Sequence, residues 1–251
     1  MPRLERLEYF SSRPEGLLLF DTYHGACSAL PIHRHYEAYA SFVLFGAYEE
    51  YSVDGRYNFD AGCLVVHPTY HAHGNIFLNG NARIRGIKLS SLNAGGQTFA
   101  GRVRNATAFA ALLKKRPDRA EELVLDAISE RKNSLSHASA PDLAIAAATA
   151  WKEGERLSIA DAAKAAGVSP EYFARLFKSH YGLSPVAYRA EHRFRNAVRM
   201  IAKAPRISAA AHACGYADQS HMGRDFKRRT GGTPRDLLKS TDQICSIGKQ
   251  C

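Results

Sequence analysis

The sequence predicts an α+β chain of two domains: an N-terminal antiparallel β-barrel followed by helices, and a C-terminal all-α domain in which a long helix joins two helix-turn-helix units. Three observations predict it. Roughly the first 90 residues are short apolar or alternating runs broken by Gly, Pro, Asn and Asp, the signature of strands and turns. A polar stretch without periodicity, RKNSLSHASA at 131–140, precedes Pro141. Beyond it, one segment recurs at a fixed offset of 49 residues.

The chain has 251 residues and 45% apolar content, enough to build a sizeable core and closer to two ordinary domains than to one. The expected strands lie at 16–20, 41–45, 50–53, 63–66 and 84–89. From residue 106 the pattern turns helical, with Phe109, Leu112 and Leu113 on one stretch and Leu123, Val124, Ala127 and Ile128 on the next, separated at Pro117. These helices either pack on the barrel or pair two subunits. The expected division is a domain at 1–132, a linker at 133–140, a helical domain at 141–240 and a flexible tail at 241–251.

The duplication is RLFKSHYGLSP from Arg175 to Pro185, repeated as RDFKRRTGGTP from Arg224 to Pro234. In the first copy, Ser158 with Asp161 has the form of a capping box that opens an Ala-rich helix, Gly167 supplies a tight turn, and Ser169-Pro170 starts a second helix. That helix buries Phe173, Leu176 and Phe177 and exposes Glu171, Tyr172, Ala174, Arg175 and Lys178. In the second copy Ser208 opens the helix, Gly215 turns the chain, and Asp218 caps a helix burying Met222 and Phe226. Its exposed face is Gln219, Ser220, His221, Arg224, Lys227 and Arg228, and its turn is one residue longer. Ser184-Pro185 caps the connecting helix, whose apolar stripe runs through Phe194, Val198 and Ile201 until Pro205.

Two helices joined by a short turn, with Gln, Arg, Ser, His and Lys on the exposed face, suit the major groove of double-stranded DNA. Charge agrees. Residues 1–137 carry 16 Lys+Arg against 14 Asp+Glu, and residues 138–251 carry 18 against 10, so most of the net +10 belongs to the helical part. No apolar run is long enough to span a bilayer, and MPRLERLEYF has charges where a signal peptide needs an apolar stretch, which points to a cytoplasmic protein without a membrane role. Cys27, Cys63, Cys214, Cys245 and Cys251 show neither CxxC spacing nor the density of a disulfide scaffold, which fits reduced thiols; only Cys245 and Cys251 in the tail invite a redox role.

The segment GVSPEYFARLFKSHYGLSPVAYRAEHRFRNA, followed by CGYADQSHMGRDFKRRTGGTPRDL, resembles the DNA-binding domain of the AraC family of transcription regulators over roughly 100 residues. The resemblance implies base-reading positions at Pro170, Glu171, Tyr172, Ala174 and Arg175, and at Gln219, Ser220, His221, Gly223 and Arg224. Residues 209–211 are alanine where the family usually carries an acid, and Met222 stands where it usually has Phe. The family implies promoter regulation, often activation by contact with RNA polymerase, under an N-terminal domain that binds a small-molecule effector or forms a homodimer. The richer hydrogen-bonding face of the second copy suggests that Gln219, His221 and Arg224 carry more base discrimination, with the first copy leaning on phosphates.

The strand-rich part is similar to the cupin-like sensor domain of such regulators. His33-Arg34-His35 sits like the first cupin metal motif, and Gly62, Pro68 and His73 like the second. Alternation along a strand puts His33 with His35, and His71 with His73, on one side. The expected effector pocket is His33, His35, Tyr39, His71 and His73. A transition metal such as zinc on His33, His35 and His73 is the alternative. Position 39, where metal-binding cupins carry glutamate, is Tyr39, and Glu37 has a different spacing, which favours a small organic effector. Cys63 and His67 together suggest a soft-metal site, although Cys63 beside Leu64, Val65 and Val66 reads as a small core residue. Three functions compete: an effector-responsive or metal-sensing regulator, a cupin oxygenase or isomerase with a DNA-targeting domain, and an architectural DNA binder without signal input. The first fits best, and the expectation is a non-enzyme.

Overall fold

The computed structural model describes residues 7–10, 19–35, 37–78, 80–89, 98–129, 142–152, 157–203 and 206–237. The linker expected at 133–140 and the tail at 241–251 lie outside those residues.

The described strands are β1 (Leu7–Phe10), β2 (Leu19–His24), β3 (Ser28–Arg34), β4 (Ala38–Phe45), β5 (Ala47–Ser52), β6 (Gly55–Asp60), β7 (Cys63–His67), β8 (Ala72–Phe77), β9 (Ala82–Leu89) and β10 (Phe99–Arg102). They form a six-stranded sheet ordered β1-β2-β9-β4-β7-β10 and a four-stranded sheet ordered β3-β8-β5-β6. All pairings are antiparallel. The inner faces meet in a core of Val43, Val65, Ile84 and Ala100 from the first sheet and Tyr48, Tyr57, Phe59 and Phe77 from the second. This is the antiparallel barrel expected. It holds strands at β1, β3, β6, β8 and β10 that the alternation did not reveal, and the expected strand at 50–53 is β5, with Val53 already in the turn.

Two helices, α1 (Ala106–Lys115) and α2 (Ala120–Ser129), cover the outer face of the six-stranded sheet. Asn105 Oδ1 caps α1 by accepting from Ala108 N at 3.0 Å. Phe109, Leu113, Ala120 and Val124 bury against Ala40, Phe42, Leu64 and Ile87. The helices therefore serve the barrel. Phe109 and Leu113 are consumed in this contact, while Leu112 remains exposed.

The helical domain comprises α3 (Asp142–Lys152), α4 (Ile159–Ala165), α5 (Pro170–Tyr181), α6 (Pro185–Lys203), α7 (Ile207–Ala213) and α8 (Gln219–Thr230). It has two cores. Trp151, Ala162, Ala163, Phe173, Phe177, Tyr181 and Tyr188 form the first. The second is Phe194, Ala197, Val198, Ile201, Ala210, Ala211, Tyr216, Met222 and Phe226. Each fully buried Phe contributes on the order of 2–3 kcal/mol. Helix α6 supplies Tyr188 to the first core and Phe194 onward to the second, so one rigid element is a wall of both.

Val53, at the β5–β6 turn, belongs to the first helical core, and Tyr188 donates its hydroxyl to Val53 O at 3.0 Å. Asp54 Oδ1 pairs with Arg195 Nη1 at 2.7 Å, and Arg34 Nη2 with Glu191 Oε2 at 2.6 Å. The barrel thus meets the helical domain along α6.

Candidate functional site

The two copies of the duplication fold as two helix-turn-helix units. Ser158 Oγ accepts from Asp161 N at 3.0 Å and opens α4; Ser169 Oγ accepts from Tyr172 N at 3.2 Å and opens α5. Between them Gly167 has φ +67°, a left-handed turn that a β-carbon disfavours. In the second unit Gly215 has φ +74°, and Asp218 Oδ1 accepts from His221 N at 2.6 Å to open α8. The turn between α7 and α8 is one residue longer than that between α4 and α5, as the sequence implied. Ser208 is not the cap of α7. The helix begins at Ile207, Arg206 holds the cap position without a side-chain hydrogen bond, and Ser208 lies within the first turn.

On α5, Pro170, Glu171, Tyr172, Arg175 and Lys178 are exposed and Ala174 half-buried, while Phe173 and Phe177 face the core. On α8, Gln219, Ser220, Arg224 and Lys227 are exposed, and His221 and Gly223 half-buried. His221 is held near its own turn: Nδ1 accepts from Ala217 N at 3.4 Å, and the ring meets Tyr216 edge-on at 5.2 Å. Arg229 pairs with Asp225 at 2.9 Å and with Glu191 at 2.5 Å, and Arg228 with Asp225 at 2.5 Å. These two arginines brace α8 against α6 and its own turn.

The barrel holds a cavity of about 390 Å³. It is lined by apolar Phe20, Leu30, Phe77 and Ile84, and by polar groups that include the cluster His33, His35, Tyr39, Glu50 and His73. Four of the five expected pocket residues line it: His33, His35, Tyr39 and His73. The fifth, His71, does not. It is fully buried behind His73, in a group with His67 and Glu50.

Register explains this arrangement. His33 pairs with His73, Tyr39 with His67 and Ser52 with His73, so β3, β7 and β8 deliver imidazoles to one place beside Tyr39 of β4. Tyr39 donates to or accepts from His73 Nε2 at 2.9 Å. Burial, reinforced by the Glu50 charge, pushes the Tyr39 phenol well above its ordinary range, so it stays protonated. His33 and His35 lie 4.5 and 5.5 Å, ring to ring, from His73. Burial, then the charge His33 would carry, lowers His35 to about 4, and burial alone lowers His24 to about 4.

Sequence reasoning missed Glu50. It is 1% exposed, and both its carboxylate oxygens lie 3.0 Å from His67 Nε2. Burial acts to raise its pKa, but the His67 and His73 imidazoles outweigh it and hold the carboxyl well below the usual range. The available signal was alternation: Tyr48, Glu50 and Ser52 share the buried face of β5, and a carboxylate on such a face needs a partner. Cys63 is not part of this group. Its thiol donates to Asp60 Oδ1 at 3.1 Å on a separate outer cleft.

Residues 162–240 match a family model described as a helix-turn-helix domain. The C-terminal domain is a helix-turn-helix domain. The match takes in α5 and α8, the two helices whose polar faces are exposed. The HTH-type transcriptional regulator GlxA of Rhizobium meliloti is 37% identical over 78 residues, 31% of this chain and 24% of that protein. Regulatory protein ada of Salmonella typhimurium is 31% identical over 88 residues, 35% of this chain and 25% of that protein. The matched stretches span about a quarter of the length of these curated relatives. Crystallised ToxT from Vibrio cholerae, bound to an unsaturated fatty acid, aligns over 91% of this chain and 97% of its own, at 9% identity and a TM-score of 0.38. No described helix is long and apolar enough to cross a membrane.

Within this domain, two of the alanines at 209–211 are used for packing: Ala210 and Ala211 are buried against α6 while Ala209 is exposed. Met222 is completely buried in the second helical core.

Proposed function

We propose that the chain is a sequence-specific, DNA-binding transcription regulator whose barrel binds a small-molecule effector. Support for the DNA partner comes from the helix-turn-helix domain, with its two capped helices and their exposed Glu171, Arg175, Gln219 and Arg224. Support for effector control comes from one observation above all. Arg34, between the cavity residues His33 and His35, pairs at 2.6 Å with Glu191, whose same oxygen holds Arg229 of α8 at 2.5 Å. A ligand that shifts the strand carrying His33 and His35 therefore acts on a contact shared with the second reading helix, a differential contact of the kind that effector control requires.

The cavity suits a molecule with an apolar body and one polar end, its apolar part against Phe20, Leu30, Phe77 and Ile84. The reading assigns binding rather than catalysis to the barrel, and activation through RNA polymerase belongs to the same proposal. Pairing of two copies, if it uses α1, has only Leu112 of its three apolar residues available.

The test is binding of the full chain to a panel of duplexes of about 20 base pairs at two salt concentrations. A few sequences bound far more tightly than the rest support the proposal, and equal affinity for all of them overturns it. Native mass spectrometry for a copurified small molecule tests the effector.

A further inference from the structure

We propose that Glu50, His67, His71 and His73 form a buried site for a divalent transition-metal ion of the zinc class. The four residues are all buried, and their potential ligand atoms lie within 4.8 Å of one another. They come from β5, the end of β7, the turn after it and β8, so the strands that build the barrel also build the site.

Hydrogen bonding leaves this group incomplete. His67 Nδ1, both ring nitrogens of His71 and His73 Nδ1 have no hydrogen-bond partner among the described residues, although all are buried. A buried polar atom left without a partner is costly. His67 Nε2 and His71 Nε2 stand 3.0 and 3.8 Å from the Glu50 carboxylate. Three imidazoles and one carboxylate are a donor set for zinc and its first-row neighbours, whereas calcium and magnesium take oxygen alone. In a four-coordinate centre with ligands at about 2.1 Å, donor atoms sit about 3.4 Å apart, so the group needs only to close by about an ångström around an ion.

This set differs from the cupin-motif set His33, His35 and His73, with which it shares only His73. His73 has two ring nitrogens, of which Nε2 meets Tyr39 and Nδ1 has no hydrogen-bond partner among the described residues. The inner set holds the advantage of a fourth ligand, a negative charge and full burial. The hydroxyl of Tyr39 stands where the motif set lacks its carboxylate. On the inner side, His71 Nδ1 lies 4.0 Å from Asp54, which pairs with Arg195 of α6, so the site adjoins the boundary between the domains.

The full chain, stripped with chelator and reloaded with Zn2+ alone, tests the site through elemental analysis and chelator competition. One zinc per chain is expected, with affinity lowered by roughly 100-fold or more in Glu50→Gln and in His71→Gln, beyond the cost of outer-shell changes. The double variant His33→Ala/His35→Ala is expected to keep its zinc. Its residues line the cavity, so it remains informative even where an inner variant fails to fold. Co2+ in place of zinc is expected to give the visible absorption of a four-coordinate centre in both the natural chain and this double variant. Absence of stoichiometric zinc in the natural chain overturns the proposal, as does loss of zinc from the double variant with retention in His71→Gln. No DNA enters the test, so its failure leaves the regulator reading untouched.

Discussion

Arg34 reaches from β3 to within 2.6 Å of Glu191 on α6, fastening the strand that carries His33 and His35 to the helix shared by both reading units. Glu191 is 3% exposed and also holds Arg229, so its removal takes a carboxylate partner from two guanidinium groups, whereas removal of Arg34 leaves Glu191 one partner. Glu191→Ala is expected to lower stability by up to about 3 kcal/mol, the low end for breaking a buried pair, and Arg34→Ala by about 1 kcal/mol. Urea unfolding of the two variants measures the difference, and equal losses contradict the shared role of Glu191.

The two reading helices should fail in different ways. Arg224→Ala is expected to relax preference at one base position, at a cost of about 1–3 kcal/mol, because a guanidinium that reads guanine reads nothing else as well. Lys178→Ala should weaken all sequences alike and lessen the salt dependence by about one counterion. Binding to a set of single-base variants at several salt concentrations separates the two.

Asp225 introduces a dependence on acid. Burial acts to raise its carboxyl, but Arg229, Tyr216 and Arg228 bind it and hold it below the usual range. A carboxyl depressed in the folded state contributes stability that is present above its unfolded value of about 3.9 and lost as pH falls through its folded one. Asp225→Asn should therefore be less stable than the natural chain at neutral pH, with the gap closing as pH drops below about 4. A gap that widens on acidification refutes the assignment.

Gly182 and Gly231 are equivalent positions of the duplication, with φ of +69° and +74°, each ending its reading helix. A β-carbon at Gly231 meets open space, whereas at Gly182 it overlaps the Tyr51 ring of the barrel. Gly231→Ala should cost about 1–2 kcal/mol from the left-handed backbone alone. Gly182→Ala should cost about 1–3 kcal/mol more through overpacking. Thermal unfolding of both variants checks whether the difference lies in the contact between domains.

What could be read from the sequence was what local chemistry dictates. Ser158, Ser169, Ser184 and Asp218 each cap within three residues of themselves, so their helices announced their own starts. Ser208 misled because a serine in a first turn looks the same at either of two adjacent positions. The barrel was harder, since His33 meets His73 forty residues away only through register, and β3 contains Pro31 and a register shift that break its alternation. His71 shares a side with His73, as alternation implies, yet depth along that side separates cavity wall from interior. Glu50 in AYEEYS resembles a solvated charge until its face is known.

Helix α6 makes the chain a ruler. Its 19 residues extend about 28 Å, and its apolar side is locked into two cores, so neither reading unit can swivel without breaking a packed interior. One inserted base pair turns the second half-site by about 34° around the duplex, and half a helical turn carries it to the far side. If both units read DNA as proposed, tolerance of operator spacing is expected to be set by how far DNA twists, because the helix between them is packed into both cores.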